Sequence, residues 1–306
     1  MPAFLCTRDR LVRLRRDGAA DPVLEGERLQ CVAARGDTVL VGTLGGGARV
    51  SRDAGTSWER IELPEADVFS VAISDADGAL YAGTEPSRLF VARDAGAWTE
   101  LEALQDIPSK PRWSFPPRPW THHVRWIAPD PHRAERLLVG IELGGVMASG
   151  DGGATFSDHR PGAKRDAHQL AWHPRADSLA YQAAGDGAAR SRDGGLTWEA
   201  LDGGNRLPYC WALAVDPADP ERWYVSAATG PGTAHAGARA RGRLYRRDGD
   251  RWEELALPSD AMPYALATAD GTLLVGMSDG RVLRSDGAGF EEVAALGGAV
   301  LAIAAQ

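Results

Sequence analysis

The chain has little cysteine, no long apolar run and no excess of positive charge. Its three cysteines, Cys6, Cys31 and Cys210, lack the spacing of a disulfide framework or a metal site. No stretch approaches the roughly 18 apolar residues that a membrane-spanning helix needs. Residues 1–16 lack the apolar core of a signal peptide. We therefore expect a cytoplasmic protein without a membrane partner.

The charge balance argues against nucleic acid as a partner. The formal net charge is -8 and the isoelectric point is about 5.4, whereas nucleic-acid-binding surfaces are basic. A nucleophile motif, a phosphate-binding loop and a dinucleotide fingerprint are also missing from the sequence. With 44% hydrophobic and 25% charged residues, the composition is that of a soluble protein with a substantial core.

What the sequence does contain is one short motif, repeated seven times. The best copies, residues 51–58 and 191–198, read SRDAGTSW and SRDGGLTW, and residues 149–156 form a third copy with Phe in place of Trp. The weaker copies end at Trp98, Trp252 and Phe290. The aspartates of the seven copies are Asp17, Asp53, Asp94, Asp151, Asp193, Asp248 and Asp286.

The spacing of these aspartates predicts the fold. Successive aspartates are 36, 41, 57, 42, 55 and 38 residues apart, and periods near 40 with strand-like composition are typical of four-stranded propeller blades. We therefore predict an all-β, seven-bladed β-propeller of four-stranded antiparallel blades, forming a single domain over residues 1–306.

The two ends of the chain predict how the ring closes. The N-terminal unit has strand-like runs at residues 4–7 and 10–14 but no apolar first strand, whereas the C-terminal residues 299–304 form an apolar strand with nothing after it. We predict that this C-terminal strand pairs with the N-terminal strands to complete one blade, which removes an exposed sheet edge.

The repeated motif has a mechanical interpretation. Its Asp can accept hydrogen bonds from backbone N–H groups in a tight turn, its Gly permits a backbone conformation that side chains oppose, and its aromatic ring can lie between neighbouring sheets. The aromatic position is occupied by Trp58, Trp98, Trp198 and Trp252.

The pattern S-x-D-x-G-x-T-W resembles the Asp box, or BNR repeat, of the sialidase superfamily. Related repeats occur in sortilin-type receptors, some xyloglucanases and photosystem II stability factors. The resemblance covers nearly the whole chain and implies a propeller, but it does not indicate one activity, because proteins of several functions share the repeat.

Two spacings exceed the usual period, and their extra residues predict two inserted loops. Residues 102–122 form a crossover between blades, and residues 229–242 form a loop between a second and a third strand. In an up-and-down blade both positions lie on the face opposite the motif turns. Long loops on a rigid scaffold often carry function, so we expect the site on this face. The first loop is either a stiff pocket wall or an arm over its own blade; the second is either a mobile flap or a plain insertion.

Aligning the first strands of the blades shows where the apolar pattern breaks. The aligned apolar positions are Val32, Val71, Ile127, Leu170, Leu213, Leu266 and Leu301. Two residues earlier lie Gln30, Phe69, Arg125, His168, Trp211, Tyr264 and Ala299. Four residues earlier lie Arg28, Asp67, His123, Asp166, Tyr209, Met262 and Gly297. Polar and aromatic residues thus replace apolar ones toward the loop-bearing face. Such a break is typical of a functional site, but it would also occur at a solvated opening of the propeller channel without a function.

This break predicts the candidate site. We expect the catalytic groups to be His168, Asp166 and Glu142. Glu142 begins the turn that follows the second strand of its blade, and Glu85 occupies the same place one blade earlier. We expect the ligand lining to comprise Arg125, His123, Tyr209, Trp211, Trp120, Arg165 and Tyr264. Arginine beside aromatic rings that can stack favours a small polar ligand, either anionic or carbohydrate-like. That the protein also catalyses a reaction of this ligand is a further hypothesis.

Two enzymatic alternatives remain open. A glycoside hydrolase would use paired carboxylates. The sialidase resemblance implies three arginines that hold a carboxylate, a Tyr–Glu pair that supplies the nucleophile and an Asp that serves as acid/base catalyst, but the family's Arg-Ile-Pro element is absent. The matching residue types occur at Arg28, Arg118, Arg125, Arg165, Tyr209, Tyr264, Glu142 and Asp166.

Two further hypotheses concern a metal and a protein partner. A divalent metal could be held by His123, His168 and Glu142, although no cofactor is predicted from a motif. Alternatively the propeller has no chemistry and serves as a scaffold that binds a protein partner. A deep, converging pocket would favour the small ligand, and a flat surface would favour the scaffold.

Overall fold

The computed structural model describes residues 2–94, 96–201 and 208–305, and it is built almost wholly of β-strands. The strands form seven sheets arranged as the blades of a propeller, so the predicted seven-bladed fold is confirmed. No helix in these ranges is long and apolar enough to cross a membrane.

The blades are numbered along the chain, and the first strand of each is the innermost. Blade 1 contains β27 (Ala302–Ala305), β1 (Ala3–Cys6), β2 (Arg10–Leu14) and β3 (Ala20–Glu25). Blades 2 and 3 contain β4 (Leu29–Arg35), β5 (Thr38–Thr43), β6 (Ala48–Ser51), β7 (Glu59–Ile61), β8 (Asp67–Ile73), β9 (Leu80–Glu85), β10 (Leu89–Ala92) and β11 (Thr99–Glu100). Blades 4 and 5 contain β12 (Val124–Pro129), β13 (Leu137–Ile141), β14 (Gly145–Ser149), β15 (Ala167–Trp172), β16 (Ala180–Ala184), β17 (Gly187–Ser191) and β18 (Glu199–Ala200). Blades 6 and 7 contain β19 (Tyr209–Val215), β20 (Arg222–Ala228), β21 (Arg243–Asp248), β22 (Arg251–Leu255), β23 (Pro263–Ala269), β24 (Thr272–Met277), β25 (Arg281–Ser285) and β26 (Glu291–Ala295).

Blade 4 departs from the predicted four strands. It has three, and an isolated bridge between Ala148 and Ser157 stands where a fourth strand would pair. Beyond Ser157 the backbone N–H of Arg160 still donates to the carbonyl of Val146 in β14 at 2.9 Å, while the side chain of Asp158 accepts hydrogen bonds from the backbone and hydroxyl of Ser109 in the first inserted loop at 3.0 and 2.5 Å.

The ring closes as the chain ends predict. Strand β27 pairs antiparallel with β1, with Ile303 opposite Leu5. The closing strand also joins two blades, because Val300 and Leu5 share one buried cluster with Leu274 of blade 7. The observed strand is shorter than the apolar run 299–304, and Gln306 lies outside the described residues.

The hydrophobic core lies between neighbouring blades. One cluster, for example, packs Leu179 and Tyr181 of blade 5 against Leu213 and Trp223 of blade 6. Each sheet therefore buries both faces, and this explains why second strands such as β13 and β16 are buried along their whole length.

The three best motif copies form the same hydrogen-bonded turn. Asp53 accepts from the backbone N–H of Ser57 at 2.8 Å and from its hydroxyl at 2.6 Å, as predicted, and Ser51 receives the N–H of Gly55 at 2.8 Å. Gly55 has φ +91°, a conformation that disfavours a side chain. The bonds recur around Asp151 and Asp193.

The weaker copies are built differently. Asp248 is the last residue of β21. Its carboxylate lies 2.7 Å from the Nε of Arg222 and 2.7 Å from the Nε of Arg246. The carboxylate therefore belongs to an ion-pair cluster and does not form the predicted turn. The two-residue turn to β22 is too short for the motif's backbone bonds. Asp286 accepts a weaker bond from the backbone of Ala288, at 3.2 Å, and Asp94 adopts φ +51°.

Two of the motif tryptophans tie one blade to the previous one. The indole N–H of Trp58 donates to the carbonyl of Val23 in blade 1 at 2.9 Å, and that of Trp252 donates to the carbonyl of Leu201 after blade 5 at 3.1 Å. The predicted placement of the ring between sheets is confirmed at these positions. Trp98 and Trp198 pack in clusters between blades.

Candidate functional site

The inner strand of every blade from 2 to 7 contains a β-bulge near one end. In five blades a single residue is left unpaired between two registered pairs, and in blade 6 Trp211 and Ala212 together oppose one residue. A bulge bends its strand and re-aims the extra side chain. The bulged residues are Gln30, Phe69, Arg125, His168, Trp211 and Tyr264.

These six residues are those found by aligning the first strands, and all six line one cavity. The bulge is the physical reason why the apolar alternation fails there. Glycines opposite some of the bulges allow the close approach of the next blade: a Cβ on Gly83 would lie 2.5 Å from Val124 of blade 4, and one on Gly42 would lie 2.8 Å from Val68 of blade 3. Glycine inside a strand is a sequence signal for such a bulge.

The cavity lies on the axis of the propeller and has a volume of about 960 Å³. Inner strands of all seven blades contribute to its wall. The first inserted loop adds Phe115, Pro116 and Pro117, and the second adds Pro231 and His235. Both loops therefore reach the mouth of the cavity. The motif turns contact the other end of the strands, as where the N–H of Ala54 bonds to Asp37.

A chain of alternating charges crosses the mouth. Arg118 of the first inserted loop donates two hydrogen bonds to Glu85, at 2.9 and 2.7 Å. His123 follows, with Nδ1 3.2 Å from Glu85 and Nε2 2.9 Å from Glu142. The Nε of Arg125 lies 3.5 Å from Glu142, and its guanidinium lies over the ring of Trp211 at 4.7 Å.

His123 is fixed from all sides. It is 1% exposed, stacks on Phe69 with centroids 4.1 Å apart, and meets the edge of Phe115 at 4.9 Å. Its Nε2 is hydrogen-bonded to Glu142, whereas its Nδ1 lies near Glu85 without the geometry of a hydrogen bond. Burial alone would raise the pKa values of Glu85 and Glu142, but the adjacent His123 and the neighbouring arginines outweigh it and lower both to about 2.

Asp166 and His168 form the opposite half of the site. His168 is fully buried, and its Nδ1 donates to the carbonyl of Cys210 at 2.6 Å, while Nε2 lies 3.6 Å from Asp166. Burial lowers the pKa of His168 to about 4. Burial raises the pKa of Asp166 to about 7, and the charge of Glu142 adds to this shift. A Cβ on Gly185 would lie 1.8 Å from the Asp166 carboxylate, so only glycine leaves room for it.

Aromatic rings form the third side of the mouth. Tyr209 lies against His168 and Trp211, with centroids 4.9 and 6.2 Å apart. Tyr264 lies 5.8 Å from Trp211 and donates a hydrogen bond to the carbonyl of Ala234 at 3.0 Å. Ala234 ends a short helix, α1 (Pro231–Ala234), so the second inserted loop is attached to the aromatic wall.

Two predicted lining residues lie off the cavity. Trp120 is 79% exposed. Arg165 is also exposed, and its charge helps to lower the pKa of His159 after burial, the main cause. Arg28 is also exposed, and Arg118 is paired with Glu85. Of the four arginines considered for a sialidase, only Arg125 lines the cavity, so the three-arginine arrangement is not assembled.

The other predicted residues come together, along with groups that the sequence did not rank. Arg125, His123, Tyr209, Trp211, Tyr264, His168, Asp166 and Glu142 all line the cavity. Glu85, Phe115 and His235 complete the arrangement. Glu85 could be found from its place one blade before Glu142, whereas Phe115 and His235 depend on how the inserted loops fold.

The donor atoms that could hold a metal differ from the predicted set. Ligand atoms of Glu142, Asp166 and His168 lie within 4.8 Å of one another. His123 is replaced by Asp166 in this group because both nitrogens of His123 already face carboxylates.

The sequence matches no protein-family model, and no curated protein matches it. Its fold is similar to those of solved structures. An ancestral GH74 enzyme superposes with a TM-score of 0.67 at 15% identity, covering 92% of this chain and 37% of that one. The GH74 xyloglucanase from Xanthomonas campestris gives 0.65 at 18% identity, covering 87% and 45%.

A third similar structure is described as YCF48 bound to D1 peptide. It has a TM-score of 0.60 at 16% identity and covers 95% of this chain and 84% of that one. The chain thus spans less than half of the two GH74 proteins but most of the YCF48 protein. At these identities the likeness shows a shared propeller fold.

Proposed function

We propose that this propeller binds a small polar, carbohydrate-like ligand at the mouth of the axial cavity. The observation that carries the proposal is the convergence of Arg125, Glu142 and Asp166 with the rings of Trp211 and Tyr264 on one cavity of about 960 Å³. Pockets for small ligands combine apolar walls with a few converging polar groups in this way.

The side chains suit the two kinds of surface that a sugar presents. One face of Trp211 is covered by Arg125, so the rest of its ring and the ring of Tyr264 can contact the C–H groups of a sugar, and carboxylates can accept hydrogen bonds from its hydroxyls. Within the described residues Arg125 makes no hydrogen bond to a protein group, and its nearest carboxylate oxygen is 3.5 Å away. Its donors therefore remain available to a hydroxyl or to an anionic substituent.

A calorimetric titration tests this proposal. The purified protein is titrated with a panel of neutral and acidic oligosaccharides, including xyloglucan fragments. We expect one class to bind, and we expect Arg125→Ala or Trp211→Ala to weaken binding at least ~10-fold, about 1.4 kcal/mol. Arg284→Ala is the matched control, because Arg284 forms an exposed pair with Glu291. Equal binding by all three variants would reject the site.

A second candidate, glycoside hydrolysis, is favoured by one distance. Carboxylate oxygens of Glu142 and Asp166 lie within 4.8 Å of each other, so the two carboxyl groups are near enough to act as a pair, as the carboxyl groups ~5–5.5 Å apart do in retaining glycosidases. The similarity in fold to two GH74 enzymes supports glycoside hydrolysis as the second candidate. Release of reducing sugar should be lost in Glu142→Gln and in Asp166→Asn while ligand binding remains. Turnover that survives both substitutions would reject these residues as the catalytic pair.

A protein-binding scaffold is the alternative to both. The YCF48 structure, of which the chain covers 84%, is described with a bound peptide. If no oligosaccharide binds the wild-type protein and peptides compete for the same cavity, the scaffold function is supported instead.

A further inference from the structure

We propose that Glu142, Asp166 and His168 bind one divalent transition-metal ion at the mouth of the axial cavity. The inference deepens the proposed function by adding a metal to that site, and it rests on the location of the site but not on the identity of the ligand. Three observations carry it: the arrangement of the donor atoms, the unpartnered nitrogen of His168, and the hydrogen bonds that fix the donors.

The donor atoms have a spacing that suits one ion. The Nε2 of His168 lies 3.6 Å from an oxygen of Asp166, which is too long for a hydrogen bond. Two ligands with metal bonds of ~2.0–2.2 Å span such a distance at an angle between tetrahedral and trigonal. Glu142 offers the third atom, since ligand atoms of all three residues lie within 4.8 Å of one another.

The state of His168 provides the second observation. Because Nδ1 donates its hydrogen to the carbonyl of Cys210, Nε2 carries a lone pair and no proton. This nitrogen is buried, and within the described residues it has no hydrogen-bond partner. A buried acceptor without a partner is costly. In metal sites a histidine that donates its other N–H to a carbonyl presents its lone pair to the metal in this manner.

The two carboxylates are held in place by neighbours, which is the third observation. His123 bonds to one oxygen of Glu142 at 2.9 Å, so that the other oxygen remains for a metal. Asp166 receives a hydrogen bond from the backbone of Leu143, and the absence of a side chain at Gly185 leaves room for its carboxylate. Such outer contacts orient metal ligands.

The donor set indicates the class of metal. One imidazole nitrogen and two carboxylate oxygens suit Zn²⁺, Mn²⁺ or Fe²⁺, whereas Ca²⁺ and Mg²⁺ prefer oxygen donors alone. Three protein ligands leave positions open toward the cavity, as in catalytic metal sites. The open positions lie near Arg125 and Trp211, where the proposed ligand would bind.

Zn²⁺ binding by the full-length protein tests the inference directly. Protein treated with EDTA and then dialysed is titrated with ZnCl₂ by calorimetry, and Co²⁺ is used as a spectroscopic probe. We expect one ion per chain. We expect His168→Ala and Asp166→Asn to weaken binding by more than the ~10–100-fold that loss of an outer hydrogen-bonding partner costs.

His132→Ala is the matched control, because His132 is exposed and lies outside the cluster. Thermal unfolding of each metal-free variant shows whether it is folded, and Asp166→Asn decides alone if His168→Ala is not. Failure of the wild type to bind one Zn²⁺, or undiminished binding by Asp166→Asn, would overturn the inference.

The same titration separates this inference from the proposed function. Zn²⁺ binding that depends on Asp166 and His168, without any oligosaccharide binding, would support the metal site and reject the proposed ligand. Oligosaccharide binding by a wild-type protein that takes up no Zn²⁺ would overturn the metal site and leave the proposed function in place. Sugar release that survives EDTA would assign the chemistry to the two carboxylates alone.

Discussion

His123 stabilises the mouth of the cavity mainly through its electrostatic contacts with two carboxylates. It lies between Glu85 and Glu142, both of which are largely buried, and Arg118 and Arg125 complete the alternation. Removing one member of a buried ionic group leaves the others without compensation, and this costs more than the group contributes as a whole. The residue is therefore a positioning element for Glu142.

We predict that His123→Phe destabilises the protein by about 3 kcal/mol. The substitution retains a ring against Phe69 and Phe115 but removes both ring nitrogens from between the two carboxylates. Urea unfolding of both proteins at neutral pH measures the difference. The exposed Glu62→Ala should change the free energy of unfolding by no more than ~0.5 kcal/mol. A loss below ~1 kcal/mol for His123→Phe would mean that stacking dominates at this position.

Most of the site could be predicted at the level of residues because the repeat supplies the alignment. Once seven inner strands are in register, the break from apolar to polar identifies Arg125, His168 and Trp211. Trp120 and Arg165 could not be placed, because their orientation depends on loops and crossovers that carry no periodic signal. The pairing of Arg118 with Glu85 is equally a product of how the inserted loop folds.

At the level of elements, the bulges in the inner strands of blades 2, 3, 4 and 7 lie opposite a glycine of the second strand, whereas blades 5 and 6 have Ala183 and Ser226 there. A Cβ on Gly83 would lie 2.5 Å from Val124 and 2.6 Å from the hydroxyl of Ser70. Both side chains are buried between blades 3 and 4 and have little room to move. We predict that Gly83→Ala costs about 1–3 kcal/mol by overpacking.

Gly150→Ala is the control for this prediction, since nothing lies within 4 Å of a Cβ there and its φ is not positive. Chemical denaturation of the two variants gives the comparison. If Gly83→Ala is as stable as Gly150→Ala, the inner strands accommodate the bulge without the close approach described above.

The motif turns give a pH-dependent prediction. Hydrogen bonds from the hydroxyl and N–H of Ser57 lower the pKa of Asp53 to about 2, below the ~3.9 of an unfolded chain. A depressed pKa stabilises the fold above the unfolded value, and this contribution disappears as the pH falls through the folded value. We predict that the stability difference between wild type and Asp53→Ala shrinks as the pH falls from ~4 to ~2.

Unfolding by urea at several pH values measures that difference. Glu62→Ala serves as the control, because its side chain is 82% exposed. A difference for Asp53→Ala that stays constant across the window would show that the turn does not depend on the charge of the aspartate.

At the level of the whole molecule, the ring depends on its closing strand. Strand β27 fills the inner position of blade 1, and without it β1 would present an unpaired edge to the cavity. We predict that deletion of residues 299–306 lowers the melting temperature by at least ~10 °C or prevents folding. Thermal unfolding followed by circular dichroism would detect this. An unchanged melting temperature would refute closure by this strand.

The fold as a whole was more predictable than the site, and the reason is physical. Blade number, ring closure and the turn around Asp53 follow from local patterns that recur seven times. The irregular fourth segment of blade 4 does not, because it also contacts Ser109 of the inserted loop, 49 residues from Asp158. The raised pKa of Asp166 likewise depends on its burial and on the charge of Glu142. Neither can be seen in the local sequence pattern.

The central claim is that the mouth of the axial cavity, and not the face with the motif turns, binds the ligand. The most direct test is a crystal structure of the protein with the tightest-binding oligosaccharide of the panel. We predict density against Trp211 and within hydrogen-bonding distance of Arg125. A ligand bound on the face of the Asp53, Asp151 and Asp193 turns, with the axial cavity free of it, would contradict the account.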